Sequence, residues 1–161
     1  MLTTDFNRSV DTFSDPLYRF ILKSAKDREL AQDVVQEAFT RLWEKRHDVD
    51  PAKVKSYLFT TGYHCMIDWL RKEKRNADIE NVAHEPSGPE SPHGDLNAIL
   101  HEALERLPEI QRSVILLRDY EGYNYAEIGE ICNLNESQVK VYIFRARKAL
   151  KTYLVKLEVV I

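Results

Sequence analysis

The 161-residue chain contains no apolar run approaching the roughly 20 residues that a membrane-spanning helix needs. Its start, Met1 to Val10, is polar and lacks the apolar stretch of a secretory signal, so a cytoplasmic location is expected. Cysteine is almost missing. Cys65 and Cys132 lie far apart, each within an apolar-rich segment, and read as reduced, packed thiols rather than a disulfide. Glycine is also sparse, with five in the chain. No glycine-rich phosphate loop, nucleophile motif or paired-carboxylate pattern occurs. None of the histidines (His47, His64, His84, His93, His101) pairs with cysteine or carboxylates at metal-ligand spacing. The chain is therefore expected not to be an enzyme, and to need no cofactor, metal or small-molecule substrate. Its 43% hydrophobic and 30% charged residues are those of a soluble globular protein, enough for one medium domain or two small ones.

The net charge of −3 argues at first against nucleic acid as a partner. Its distribution reverses that. Residues 1–75 carry 14 Lys/Arg against 12 Asp/Glu, residues 76–110 carry 1 against 8, and residues 111–161 carry 8 against 6. One acidic middle segment hides two mildly basic ends. That segment also holds Pro86, Pro89, Pro92, Gly88 and Gly94 between Asn76 and Asp95, with few large apolar residues to bury. It reads as a flexible linker, 76–95, between a first lobe of residues 1–75 and a second of 96–161.

Strand-like alternation is scarce, and an all-α fold of two small helical domains is expected. Asp50-Pro51 places an N-cap before a proline at a first helical position. Leu107-Pro108 should end one helix and open the next, and Asp15-Pro16 suggests a further helix start. From Glu29 to Arg46, Leu30, Ala31, Val34, Val35, Ala38 and Leu42 share one arc, widened by Phe39 and Trp43. The opposite arc holds Asp33, Gln36, Glu37, Thr40 and Glu44. It is either a plain solvated face or an acidic docking stripe for a basic partner. Farther on, Gly62 within a helical pattern suggests a break near Gly62-Tyr63-His64. The aromatics Tyr57, Phe59, Tyr63 and Trp69 precede the cations Arg71, Lys72, Lys74 and Arg75. Stacking surfaces beside cations suit melted single-stranded DNA, although aromatics at helical spacing are more commonly core; Trp69 is assigned to the core and Tyr63 is left open.

The second lobe is more specific. Ala126 to Ile131 reads as a short helix and Cys132-Asn133-Leu134 as a tight turn, asparagine accepting the left-handed backbone readily. Asn135 can cap the next helix, with Gln138 reaching back to it. Short helix, turn and longer helix make a helix-turn-helix. Along Glu136 to Leu157, the residues Val139, Tyr142, Ile143, Ala146, Ala149, Leu150, Tyr153, Leu154 and Leu157 fall on one side, and Lys140, Phe144, Arg147, Lys148 and Lys151 on the other. No acid occurs from Ser137 to Leu157. A face of one charge sign opposite a packed face fits a DNA major groove better than it fits ordinary solvated surface. Val141 lies at the edge of the exposed arc, placed there by chance or to meet a thymine methyl.

The segments AQDVVQEAFTRLWE (Ala31–Glu44), SYLFTTGYHCMIDWLRKEKR (Ser56–Arg75) and LERLPEIQRSVILLRDYEGYNYAEIGEICNLNESQVKVYIFRARKAL (Leu104–Leu150), in this order, resemble the extracytoplasmic-function group of bacterial sigma factors. The resemblance covers nearly the whole chain. It implies a specificity subunit of RNA polymerase that directs promoter-specific initiation. Its first lobe would dock Asp33, Gln36, Glu37, Thr40 and Glu44 on the polymerase clamp's coiled coil. A loop around Tyr63 and His64 would capture a flipped −10 base, with Asp68, Arg71, Lys72 and Arg75 along the strand. The second lobe would read the −35 element through Lys140, Val141, Phe144, Arg145, Arg147 and Lys148, and would hold the flap of the β subunit. An anti-sigma factor, often membrane-anchored in this group, is implied as a further partner. The linker would thread toward the active-site cleft. Some positions depart from the group's usual pattern: His64 stands for a frequent Asn, Tyr57 for Trp, Gly129 for Ala, Asn133 for a turn Gly and Gln138 for Thr. The competing reading is a helix-turn-helix repressor or activator that never touches polymerase; the aromatic and basic segment at 57–75 disfavours it. The basic face from Lys140 to Lys151 likewise disfavours a pure protein-interaction module.

Overall fold

A computed structural model of the chain describes residues 1–80 and 96–160, with side chains for 1–77 and 96–156. Every regular element among the described residues is helical: α1 (Thr3–Ala25), α2 (Arg28–Glu44), a 3-10 turn (Pro51–Lys53), α3 (Val54–Glu80), α4 (Leu96–Glu105), α5 (Glu109–Ile115), which runs on into a π turn (Leu116–Tyr120), α6 (Tyr125–Cys132) and α7 (Glu136–Val160).

In the first lobe α1, α2 and α3 pack on one another. Asp27 caps α2 by accepting the Leu30 N–H at 3.1 Å. The expected apolar arc then turns inward: Leu30, Ala31, Val34, Ala38, Phe39 and Leu42 are buried. Trp43 stays at the rim, against Phe6 and under the Arg46 guanidinium. Asp50 accepts the Ala52 N–H at 3.0 Å, so the Asp-Pro signal there opens a 3-10 turn as its chemistry requires.

Two sequence expectations fail in this lobe. Asp15-Pro16 starts no helix; Pro16 lies inside α1, one hydrogen bond short of a regular helix. Leu17, Phe20 and Ile21 beyond it are wholly buried, and their packing outweighs the local defect. Nor does the chain break at Gly62: α3 continues through Gly62-Tyr63-His64, so no loop exists there. A Cβ at Gly62 would stand 3.0 Å from Leu17 Cδ1 and 3.6 Å from Val34 Cγ1. The glycine lets α3 lie close against α1 and α2, and the packing gained offsets its weak helix propensity. Helix α3 also continues to Glu80, past the expected lobe boundary at 75. The rest of the expected linker, 81–95, lies outside the described residues.

In the second lobe Pro108 sits at the N-cap of α5, one position earlier than expected. Asn124 and Glu127 form a reciprocal capping box at the start of α6. Asn133 ends α6 in the left-handed conformation, at φ 58° and ψ 51°. Asn135 Oδ1 accepts the Gln138 N–H at 2.8 Å, and Gln138 Oε1 accepts the Asn135 N–H at 3.0 Å. The short helix, asparagine turn and capped long helix stand where the sequence places them. Val139, Ile143 and Ala146 bury one side of α7 against the lobe; Ala149, expected there, is exposed.

Candidate nucleic-acid interface and the contact between the lobes

The buried side of α7 leaves its other side to solvent. Lys140, Phe144, Arg147 and Lys148 are exposed, as the helical wheel predicts, and so are Val141 at the edge of that arc and Arg145, which only the family resemblance singled out. Phe144 is 67% exposed and Val141 44%, a large apolar cost on a free helix surface. Two cations are held from below. Asp119 accepts from Arg147 at 2.9 Å, and this hydrogen bond, against the opposing effect of burial, raises the guanidinium pKa above its ordinary value. Lys140 lies over the Tyr125 ring, whose neighbourhood also holds the Arg118 guanidinium. Among the described residues Arg145 and Lys148 make no such side-chain contact. The result is a basic strip with apolar side chains set into it, on the second helix of a helix-turn-helix.

The acidic stripe of α2 is likewise continuous. Asp33, Gln36, Glu37, Thr40 and Glu44 are exposed on the side away from the core. Within it Glu37 accepts from Arg41 at 2.9 Å, and the Thr40 hydroxyl donates to the Gln36 carbonyl at 2.8 Å.

On α3 the structure divides the residues that the sequence grouped. His64, Asp68, Arg71, Lys72 and Arg75 are exposed at spacings that keep them along one side of a continuous helix. Tyr63 is not with them. It is 5% exposed and lies against Cys132 of α6, in the other lobe. Burial holds the Tyr63 phenol far above its usual pKa, and burial likewise pushes the Cys132 thiol up to about 12. Both groups are neutral at physiological pH, as a dry contact requires. Trp69, assigned to the core, is half-buried against it.

This contact between the lobes extends beyond Tyr63. Glu121 accepts from Arg19 Nη2 at 2.9 Å and from Nε at 3.2 Å, a forked pair in which the glutamate side chain is 4% exposed. Phe59 of α3 meets the Tyr123 ring edge-on at 5.4 Å, and the Lys55 ammonium lies 4.7 Å from the same ring. Lys23 sits over Tyr120, and Lys26 donates to the Glu105 carbonyl at 3.0 Å. The π turn and Gly122, at φ +77°, aim Glu121 and Tyr123 across the junction. Sequence reading missed these residues. The only sequence signal was the run RDYEGYNY (Arg118–Tyr125), dense in aromatic and charged groups that no single helix face can sort.

Among the described residues no group of histidine, cysteine and carboxylates could hold a metal ion, and no helix is long and apolar enough to cross a membrane.

Known proteins share both lobes. The family described as Sigma-70 region 2 matches residues 10–76, and Sigma-70 region 4 matches residues 97–150. The ECF RNA polymerase sigma factor SigM of Bacillus subtilis (strain 168) is 31% identical over 148 residues, covering 86% of this chain and 88% of that protein. The RNA polymerase sigma factor SigV of the same organism is 33% identical over 142 residues, 86% of this chain and 84% of SigV. Among solved structures, the sigma factor RpoE in complex with the anti-sigma factor NepR from Bartonella quintana superposes with a TM-score of 0.82 at 25% identity, over 94% of this chain and 98% of that one. CnrH in complex with the cytosolic domain of CnrY gives a TM-score of 0.69 at 25% identity, over 94% and 88%. With both sigma-70 regions present in order and relatives alike over most of its length, this chain belongs to the ECF RNA polymerase sigma factors.

Proposed function

We propose that this sigma factor divides promoter recognition between its lobes, with residues 1–75 for the polymerase and the −10 element and residues 96–161 for the −35 element. The observation that carries this reading is the outer side of α7: a helix-turn-helix whose second helix shows cations and two exposed apolar side chains, and no acid from Ser137 to Leu157. Lys140, Val141, Phe144, Arg145, Arg147 and Lys148 would meet the −35 duplex, its phosphates and base edges together. Asp33, Gln36, Glu37, Thr40 and Glu44 would dock on the basic coiled coil of the polymerase clamp. His64, Asp68, Arg71, Lys72 and Arg75 would follow the −10 strand. Tyr63 joins them only when α6 withdraws, because in the closed arrangement its ring and hydroxyl are covered. The second lobe would also hold the β flap, and the acidic segment 76–95 would pass toward the polymerase cleft. The protein would act in the cytoplasm and carry no catalytic chemistry of its own. An anti-sigma factor covering these faces is proposed as well, supported by the likeness to RpoE in its complex with NepR. Recovering no such partner by pull-down from the native cell would remove that part.

The test is run-off transcription with purified bacterial core polymerase on fragments of the native genome. Transcripts that start at discrete sites only with the protein present are expected. Binding to duplex DNA without any protein-dependent start would instead favour a repressor.

The faces are separable. Lys140→Ala and Arg145→Ala should each weaken −35-dependent initiation about tenfold, the scale of one good base or phosphate contact. Core binding, read by co-migration with polymerase, should be unchanged in both. Glu37→Arg should do the reverse. Equal loss of core binding in all three would show the faces to be wrongly assigned.

A further inference from the structure

The first turn of α7 carries a side chain with only part of its hydrogen-bonding capacity left for DNA. Gln138 is the third residue of the helix and is exposed. Its Oε1 accepts the backbone N–H of Asn135 at 3.0 Å, while its own N–H goes to Asn135 Oδ1 at 2.8 Å. The Asn135 group is a donor, so the amide atom that meets it must be oxygen. This removes the usual ambiguity between the two ends of a glutamine amide. The Nε2 end, with two N–H donors, takes no part in the cap of this exposed residue. An unconstrained glutamine can offer one donor and one acceptor together, which matches adenine. A glutamine whose oxygen serves the helix cap offers donors.

One turn farther along the same side stand Val141 and Tyr142, and one turn beyond them Arg145. Together with Asn135, Ser137 and Gln138 they line one shallow concavity on the outer face of the helix. The first turns of a recognition helix are the part that reaches base edges. In order along this concavity the helix shows amide donors, an apolar branch and a guanidinium.

We propose that Gln138 is a specificity-determining residue of the −35 contact: held by Asn135, it selects a base that shows acceptors in the major groove, guanine or thymine, and rejects cytosine, which shows an amino donor there. Val141 sets the neighbouring preference, since its side chain can gain only from an apolar partner such as the thymine methyl. The inference rests on the reading of α7 as the −35 helix.

Gln138→Glu tests it. A carboxylate accepts the Asn135 N–H as well as the amide does, so the cap survives. The Nε2 donors are replaced by an acceptor oxygen. Run-off transcription with core polymerase on a promoter library randomised across the −35 element is the measurement. The wild type is expected to favour guanine or thymine at one position. Gln138→Glu is expected to shift that same position toward cytosine by about tenfold, with the other positions unmoved. Gln138→Leu, which keeps the bulk and loses the donors, should flatten the preference there without creating a new one. Identical base preferences in all three proteins would overturn the proposal, as would a fall in total transcript with no change at any position. If the wild type starts at no discrete site, the sigma reading of α7 fails first and this inference falls with it. That outcome is distinct from discrete starts with unmoved preferences.

Discussion

Glu121→Arg is expected to part the two lobes and to expose Cys132 to thiol reagents at least tenfold faster than in the wild type. The Glu121 carboxylate is nearly wholly buried and its partner is the Arg19 fork. The partner left behind, Arg19, is 46% exposed and screened by water, so losing the pair itself costs only about 1 kcal/mol. The larger cost is a second cation placed at the covered Glu121 position, where no carboxylate answers it. The substitution also sets a guanidinium beside Arg19 and close to Lys23, whose charge Glu121 now supports. Cys132 reports the opening directly. It is 6% exposed, it lies against Tyr63 across the junction, and burial pushes its thiol pKa up to about 12, which leaves almost no thiolate at neutral pH. Labelling in a Cys65→Ser background isolates it. Restoring opposite signs with Arg19→Glu in the same chain should return the rate toward that of the wild type, which a general loss of stability would not do. A labelling rate that Glu121→Arg leaves unchanged would mean that the pair does not hold the lobes together. The consequence for function runs through Tyr63. The opened variant should bind a single-stranded −10 oligonucleotide more tightly than the closed wild type, since stacking needs the ring uncovered.

Gly129→Val is expected to dismantle the helix-turn-helix. A Cβ at this position would stand 2.5 Å from the Leu134 carbonyl oxygen and 3.7 Å from Val139 Cγ2. The obstacle is backbone, and that backbone is pinned by the Leu134 N–H donating to the Gly129 carbonyl at 2.8 Å. No rotamer avoids the clash, so the α6–α7 corner must shift. Overpacking of this kind costs on the order of 3 kcal/mol. For a chain of this size that corresponds to a fall in Tm of roughly 10 °C by calorimetry. Initiation that depends on the −35 element should be lost, while core binding through the first lobe persists. A Tm within a degree or two of the wild type, with −35 dependence intact, would show that the turn yields more easily than its hydrogen bonds suggest.

The parts legible in the sequence share one property: each depends on residues a few positions apart. The buried arc of α2 follows from Leu30, Val34, Ala38 and Leu42 recurring at helical spacing. The helix-turn-helix follows from Asn133 at the turn and Asn135 with Gln138 at the cap, three residues whose preferences act through their own backbone. The exposed basic side of α7 is the complement of its buried side, and one periodicity determines both. The resemblance to a known family added the division of labour, which periodicity alone does not contain.

The parts that were missed depend on residues brought together from far along the chain. Pro16 and Gly62 are local signals for an interruption, and both lie within continuous helices because the packing of Leu17, Phe20, Ile21 and Val34 outweighs a weak turn. Tyr63 and His64 are neighbours in sequence, yet one is buried and the other exposed. No periodicity in α3 foretells that, because the surface covering Tyr63 belongs to α6, about 70 residues on. By itself the sequence determined the helix-turn-helix and its caps, the exposed basic face of α7 and the acidic stripe of α2, all of which follow from local backbone chemistry and 3.6-residue repetition. Only the tertiary structure decided which of the promising residues stand uncovered. The forked pair of Arg19 with Glu121 and the ring contact of Phe59 with Tyr123 join groups separated by 102 and 64 residues. Which distant surfaces meet depends on shape and charge complementarity between finished helices, a property that no short window of sequence carries.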